Sequence, residues 1–308
     1  MASLPPIPLW RPELMGTDQS GDWGEDAGLL TAWEEAWSQR WQRSAIAFAH
    51  PLDFWQSLRQ VMGWPVGKEI GLDPFLHPIW RESLAAAGWV VHWRDWLETE
   101  GLPAGSIHFC HHPFGLPGVA ASDWVVEEIS SILLPRQGCG QGQIQIAGMQ
   151  GMIQAGQSVM ALCGDGQLAD ALRQTRRQPP GALLCRLGLN QWQRLAEVLE
   201  KRRALAERYD RLLRCPSVIR KPQGERVWEW YILECASQEI RNSLQEWFHR
   251  SAIATASPLW FTLPDHLPEA HRFHATALAL PLYAPLSDSE QKRIINRFHR
   301  WQVKTYQG

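Results

Sequence analysis

The sequence predicts an α/β protein with a large domain on a mostly parallel sheet and a smaller C-terminal α+β domain. Two observations support this prediction. Before residue 130, short apolar runs of strand length alternate with longer segments whose apolar residues recur at helical spacing. This order is typical of a parallel sheet with helices on both faces. After Cys215 the pattern changes to strands followed by helices. We therefore predict a large domain over 1–190, N-terminal arm included, and a smaller domain over 191–308.

The elements of the large domain follow from these patterns in order. Leu30–Arg43 carries Trp33, Trp37 and Trp41 four residues apart, which predicts a helix with one buried face. The alternation that follows predicts strands over Ser44–Ala49, Glu69–Gly71, Trp89–Trp93, Ile107–Cys110 and Trp124–Glu127, and helices over Leu52–Met62, Ile79–Ala87 and Asp165–Arg176.

The smaller domain begins with a long linking helix. Trp192–Leu213 has apolar residues at threes and fours, which predicts this helix. Strands are predicted over Val218–Arg220 and Val227–Glu234, and a helix over Gln238–Arg250. Ser287 and Glu290 form a capping box that opens a terminal helix, which buries Ile294, Phe298 and Trp301.

Composition limits the classes of partner. The 308 residues carry a net charge of −2 with no sustained charge block, so neither nucleic acid nor a membrane surface is an expected partner. No secretory signal is recognisable, and six cysteines without paired spacing indicate reduced thiols, so we expect a cytoplasmic protein. The 18 tryptophans are expected to be anchors of the core or of a dimer interface.

Several blocks in sequence order carry a family resemblance. MALCGDGQLADALRQTRR begins at Met160, and LALPLYAPLSDSEQKRII ends at Ile295. CHHPFG (Cys110–Gly115) is similar to a Val-His-Leu-Tyr-Gly segment, and VVEEISS (Val125–Ser131) lies where a Glu-Asp-Ala-Ala-Gln motif is expected. Together these blocks resemble the DegT/DnrJ/StrS sugar aminotransferases. The resemblance implies an aspartate-aminotransferase-like fold, pyridoxal phosphate (PLP) chemistry and dimers with active sites at the interface.

The residues matching the family's catalytic position depart from its pattern. The family's Schiff-base lysine precedes the strand that leads into an Asp-Glu-Glu-Leu helix. Counting back from Asp165 places Gly151 at that position, and no lysine lies between Lys68 and Lys201. Because glycine neither forms an imine nor transfers a proton, we predict that transamination by the usual route is lost.

The matching phosphate-binding turn departs as well. His50-Pro51-Leu52 stands where the family has Ser-Gly-Thr, so an N–H donor and a hydroxyl are missing. Asp53 adds a negative charge beside the place of a phosphate dianion. Proline suits the first turn of a helix, so the turn is expected to keep its structural role.

Three further positions are interpreted as vestiges of the cofactor site. Glu128 corresponds to the family's aspartate that pairs with the pyridine nitrogen, Ser131 to its glutamine, and His77 to its stacking aromatic residue. The alternatives are a surface carboxylate at a strand end for Glu128 and a loop histidine before Pro78 for His77.

A cluster of His108, Cys110, His111 and His112 raises the alternative of a metal site. On a strand, His108 and Cys110 share one face, so two or three of these side chains could converge. No second cluster of ligands is recognisable, and the family has a histidine matching His112 without a metal. The sequence therefore predicts no metal site.

Taken together, the sequence predicts a non-catalytic homologue, a binding or scaffold protein or an inactive subunit. We expect a homodimer, or a heteromer with an active paralogue, and no cofactor. The alternative is an enzyme that uses PLP or pyridoxamine phosphate (PMP) non-covalently, as lysine-free dehydratase relatives do. Those relatives carry a histidine at the lysine position, whereas this chain has Gly151.

Overall fold

The protein consists of two compact units. In the computed structural model, residues 5–11, 28–95, 102–118, 120, 122–133, 142–215, 219–220, 226–257 and 263–306 are described. One unit is Leu14–Leu195, and the other joins Met1–Glu13 to Ala196–Gly308. The first contains a seven-stranded sheet and the second a three-stranded sheet. The predicted α/β class is confirmed.

The sheet of the first unit is mostly parallel. Its strands are β1 Ser44–Phe48, β2 Glu69–Leu72, β3 Val90–Trp93, β4 Ile107–His111, β5 Val125–Glu128, β6 Ile144–Gln150 and β7 Gln154–Cys163, in the order β1-β7-β6-β5-β4-β2-β3. Among these strands, β7 runs antiparallel to both of its neighbours, β1 and β6, while the pairs from β6 through β5, β4 and β2 to β3 are parallel. Strands β1 to β6 therefore end at one edge, where β7 begins.

An aromatic core joins one face of this sheet to its helices. The helices of the unit are α1 Leu29–Trp41, α2 Pro51–Val61, α3 Pro78–Ala86 and α4 Gly166–Thr175, with α5 Ala182–Leu212 running on beyond residue 195. Trp55 of α2 is fully buried. It makes edge-to-face contacts with Trp80, Trp89 and Phe109, with ring centroids 6.3, 5.7 and 5.1 Å apart. These rings supply large apolar area and directional packing, so they fix the helices on the sheet.

Two differences from the predicted elements have a common cause, which is glycine. Strands β6 and β7 were not predicted, because Gly148, Gly151 and Gly156 interrupt their apolar pattern. Helix α5 begins at Ala182, ten residues before the predicted Trp192, and it contains Gly188. A Cβ atom at Gly188 would lie 0.9 Å from Cη2 of Trp33, so this glycine lets the indole pack directly on the helix backbone.

The second unit packs helices against a short antiparallel sheet. Its elements are β8 Ile219–Arg220, β9 Tyr231–Cys235, α6 Gln238–His249, α7 Pro268–Thr276, β10 Ala277–Leu280 and α8 Asp288–Tyr306, with strand order β10-β9-β8. Strand β9 begins four residues later than predicted, and α7 and β10 were not predicted. The capping box is confirmed, since Glu290 N donates to Ser287 Oγ at 3.2 Å and Ser287 N to Glu290 Oε2 at 2.9 Å. Ile294, Phe298 and Trp301 are buried as predicted.

The N-terminal residues that the structure describes pack with this second unit. Ile7 is buried in its core and exchanges backbone hydrogen bonds with Ala252 and Ala254. Arg11 pairs with Glu290 at 2.6 Å. Within the described residues, none of the helices is both long and apolar enough to cross a membrane.

Candidate functional site

The carboxyl-terminal edge of the seven-stranded sheet gathers most of the residues singled out from the sequence. His50 follows β1, Asp73 follows β2, His111 ends β4, Glu128 ends β5 and Gly151 follows β6. Ligand sites of parallel sheets lie at this edge, because the loops that leave the strands converge there. Functional side chains are therefore expected at this edge.

Glu128 lies at the centre of a buried hydrogen-bond network. It stands opposite His111 in the register of β5 and β4, and His111 Nδ1 lies 3.0 Å from Glu128 Oε2. Ser130 N donates to Glu128 Oε1 at 3.1 Å, and Ser130 Oγ donates to the same oxygen. Glu128 is only 2% exposed, so the surface-carboxylate alternative is wrong. Its charge is compensated inside the protein.

The charge state of Glu128 follows from these contacts. Burial raises the pKa of the Glu128 carboxyl, but the hydrogen bond and charge of His111 and the hydrogen bonds from Ser130 outweigh it. The pKa therefore lies below its usual value, and the group is an ionised acceptor at neutral pH.

The neighbouring Glu127 belongs to a second network on the opposite face of β5. His112 Nε2 lies 2.9 Å from Glu127 Oε1, and Gly118 N donates to His112 Nδ1 at 2.9 Å. Because Nδ1 accepts, Nε2 carries the proton and donates to the carboxylate. Gln145 Nε2 and Gly142 N donate to Glu127 Oε2 at 3.1 and 3.2 Å. This network ties the loop after β4 to β5 and β6.

Asp73 connects β2 to β4 in a third network. Its Oδ1 lies 3.3 Å from His108 Nε2 and 3.2 Å from Arg94 Nη2, while its Oδ2 accepts from His111 N at 3.0 Å. Burial raises the pKa of Asp73, but the hydrogen bond and charge of His108, the charge of Arg94 and the hydrogen bond from His111 N together hold it below its usual value.

The start of α2 is capped by its own sequence. His50 is the N-cap residue, and its Nδ1 accepts from Leu52 N at 3.0 Å, while Pro51 has no N–H. Asp53 N donates to His50 O at 3.1 Å. The carboxylate of Asp53 accepts from Arg177 N and Gln178 N. The predicted structural role of this turn is confirmed. Its first N–H groups are engaged within the chain instead of pointing at an anion.

Gly151 lies in the turn between β6 and β7, at the same edge of the sheet. Next to the turn, Gly148 N donates to Ser130 Oγ at 2.7 Å. Lys68 is the only lysine in the sequence from 14 to 195, and it precedes β2, at the opposite end of that strand from Asp73. Its Nζ donates to Gly105 O at 2.7 Å. In this unit Lys68 and Gly151 therefore belong to opposite edges of the sheet.

The two remaining predicted positions lie beside these networks. His77 is exposed and caps α3, and its Nδ1 accepts from Ile79 N at 3.3 Å. Although part of this residue is exposed, the partial desolvation of its ring lowers the pKa of His77. The charges of Glu128 and Glu82 oppose this shift only in part. Ser131 is buried in the turn after β5. The structure thus places Ser131 in the turn that follows Glu128 and gives His77 a capping role, with the charge of Glu128 acting on its ring.

Sequence reasoning missed several participants in the networks, among them Glu127 and Gln145 on strands and Asp73, Arg94 and Ser130 after strands. Asp73, Arg94 and Ser130 had no signal of their own, because each is a single polar residue after a predicted strand. The only available indication was position: each follows a strand of a predicted parallel sheet, where functional side chains gather.

Comparisons with known proteins agree with this architecture. Residues 182–299 match the model of the DegT/DnrJ/EryC1/StrS aminotransferase family. Curated protein sequences gave no match. Three solved structures illustrate the shared fold. The sugar aminotransferase CalS13 of Micromonospora echinospora is 15% identical, with a TM-score of 0.79 and 96% of this chain and 99% of that chain covered.

The other two solved structures are similarly distant in sequence. The aminotransferase TlmJ of Streptoalloteichus hindustanus is 18% identical, with a TM-score of 0.77 and coverage of 92% and 93%. Helicobacter pylori PseC, an aminotransferase of pseudoaminic acid biosynthesis, is 13% identical, with a TM-score of 0.76 and coverage of 96% and 99%. This chain therefore has the fold of the PLP-dependent sugar aminotransferases.

The residues present do not fit the cofactor of that fold. A PLP site of this kind needs an amine for the aldehyde, donors for the phosphate and an acid for the pyridine nitrogen. Gly151 offers no amine, and the N–H groups at the start of α2 are engaged by His50. Glu128 is acidic, but both of its oxygens are already hydrogen-bonded.

Proposed function

We propose that this homologue of the DegT/DnrJ/EryC1/StrS aminotransferases is a non-catalytic binding or scaffold protein. It acts as a homodimer or as an inactive subunit beside an active paralogue. One observation carries the proposal. Glu128, the acid at the position that should face the cofactor, is buried and already hydrogen-bonded to His111 and Ser130 of its own chain.

A bound cofactor would have to displace hydrogen bonds that Glu128 already makes. To pair with Glu128, a pyridine nitrogen would compete with three hydrogen bonds to an ionised group, each contributing roughly 1.5–3 kcal/mol. At the phosphate position, one missing donor and one missing hydroxyl each cost on the order of 1–3 kcal/mol. Since about 1.4 kcal/mol changes an affinity tenfold, these losses move a micromolar site to millimolar or weaker.

Calorimetric titration with PMP is the decisive experiment, because binding of this ligand requires no lysine. We expect no binding heat at micromolar concentrations of PMP, and an unchanged absorbance spectrum when PLP is added. The matched variants are Glu128→Gln, at the site, and Glu82→Gln, an exposed carboxylate on α3.

One outcome would favour the alternative function. Low-micromolar binding of PMP that is lost in Glu128→Gln and kept in Glu82→Gln would overturn the non-catalytic proposal. It would support a lysine-free enzyme that holds PMP non-covalently. The observation that favours this alternative is the retained acid at residue 128, which is ionised in the folded protein.

A further inference from the structure

Three side chains of metal-binding type converge on the sheet face that carries Glu127. His108 and Cys110 lie on one face of β4, and Asp73 follows the neighbouring parallel strand β2. The register pairs Gly71 with His108 and Leu72 with Phe109, which brings Asp73 beside Cys110. One ligand atom from each of Asp73, His108 and Cys110 lies within 4.8 Å of the other two.

These ligand atoms lie inside the protein. His108 is fully buried, Cys110 is 3% exposed and Asp73 is 8% exposed. Two glycines nearby are tightly packed. A Cβ atom at Gly71 would lie 2.2 Å from Leu102, and one at Gly118 would lie 3.0 Å from Cys110 Sγ. A buried site of this kind excludes bulk water, which favours coordination by side chains over hydration of the ion.

The donor set selects the class of cation. One sulfur, one imidazole nitrogen and one carboxylate oxygen suit zinc and related divalent transition metals. Calcium and magnesium require a shell of oxygen atoms and are poorly matched by a thiolate. In a tetrahedral zinc site, the ligand atoms lie roughly 3.3–3.6 Å apart, as follows from bonds of about 2.0–2.3 Å. Convergence from 4.8 Å or less therefore needs side-chain shifts of about 1 Å.

A backbone hydrogen bond orients the carboxylate of Asp73. The backbone N–H of His111 fixes Asp73 Oδ2 at 3.0 Å, as an orienting contact does for a metal-bound carboxylate. Asp73 Oδ1 has two longer contacts, 3.2 Å to Arg94 Nη2 and 3.3 Å to His108 Nε2. Charge-assisted hydrogen bonds are usually about 2.7–2.9 Å, so both contacts are longer than the usual range. A cation can replace the contact between His108 and Asp73 by binding to both groups.

The charges are compatible with a divalent ion. Asp73 and the ionised thiol of Cys110 supply two negative charges, against the two positive charges of the ion and the one of Arg94. Glu127 lies opposite Cys110 on the same face of the sheet and supplies a third negative charge. The thiol must lose its proton to become a ligand, so binding releases a proton and strengthens as the pH rises.

From these observations we propose that Asp73, His108 and Cys110 supply three ligands of a binding site for a divalent transition metal of the zinc class. This proposal differs from the sequence prediction, which was that the chain has no metal site. The third ligand, Asp73, follows β2, and the sequence does not show that β2 lies next to β4. The proposed site lies apart from the Glu128 network, which occupies the other face of the sheet.

Metal titration of the untagged, full-length protein tests the proposal. Zinc binding is measured by calorimetry after dialysis against a chelator, and cobalt(II) serves as the spectroscopic probe. We expect one high-affinity equivalent of metal per chain and a thiolate-to-cobalt charge-transfer band. Cys110→Ser should abolish the band and weaken zinc binding by more than about 100-fold, since even the loss of an outer-shell contact costs 10–100-fold.

The control and a second variant make the result decisive. Cys185→Ser removes another buried cysteine of the same unit and should leave the band unchanged. Asp73→Asn keeps the shape of the carboxylate and should weaken zinc binding by a similar factor, with folding of each variant checked by circular dichroism. The proposal is overturned if the wild-type protein shows no thiolate–cobalt band, if the band survives Cys110→Ser, or if folded Asp73→Asn binds zinc as tightly as wild type.

Discussion

His111 and Glu128 face each other across adjacent parallel strands, with His111 Nδ1 3.0 Å from Glu128 Oε2 and both side chains buried. Both residues lie at the edge of the sheet where the resemblance places a cofactor. The acid is hydrogen-bonded to a partner from its own chain, and this internal pair can be probed directly.

Replacing Glu128 with glutamine should destabilise the first unit in a pH-dependent manner. Because the folded-state pKa of Glu128 is lowered, its stabilising effect is complete above the unfolded value of 4.5 and is lost as the pH falls through the folded value. We expect Glu128→Gln to lower the free energy of unfolding by about 1.5–3 kcal/mol at pH 7. The difference from wild type should shrink below about pH 4.5. Urea unfolding from pH 7 to pH 3 measures this, and a constant difference would contradict it.

The protein should form no internal aldimine with PLP. The motivation is Gly151 and the absence of any lysine between Lys68 and Lys201. Incubation with PLP, borohydride reduction and peptide mapping should detect no stoichiometric pyridoxyl-lysine. Full modification of Lys68 or Lys201 would contradict the expectation, whereas sparse labelling spread over exposed lysines agrees with it.

Replacing Gly188 with alanine should destabilise the packing of α1 on α5. A Cβ atom would lie 0.9 Å from Cη2 of Trp33, and the indole is 3% exposed, so it has little space to move. We expect a loss of about 1–3 kcal/mol, the usual cost of overpacking a core. Gly166→Ala is the matched control, since its Cβ would meet no atom within 4 Å and α4 should tolerate it. Thermal unfolding of both variants compares them, and equal midpoints would be inconsistent with the packing described here.

The protein should be a dimer in solution. The expectation rests on the fold, which it shares with the aminotransferases, and on the family resemblance, which implies dimers. Light scattering at micromolar concentration should give a mass near twice 35.1 kDa. A mass of 35.1 kDa would contradict this expectation, and it would leave the homodimer form of the proposed function without support.

The sequence predicted those features whose determinants are local. Helix α2 begins where the His50-Pro51 pair requires it, and α8 begins at the Ser287–Glu290 capping box. Strands β6 and β7 were missed, because their glycines weaken the apolar pattern and the antiparallel pairing that stabilises them is a tertiary contact.

In the candidate site too, local features were predicted and tertiary contacts were not. Glu128 was found through its place in a motif, but its burial and its pairing with His111 depend on the adjacency of β4 and β5. Asp73 was missed because its partners His108 and Arg94 lie on or after strands that flank β2 in the sheet. The local sequence pattern does not show which strands are neighbours, because strand order is decided by long-range packing.

The imidazole of His50 closes the first turn of α2 with an atom of the chain itself. In a protein whose helix start is completed by a bound anion, the ligand binds only the folded state and adds to its stability in proportion to the logarithm of its concentration. Here the cap is the side chain of His50, so the start of α2 needs no bound anion to engage Leu52 N.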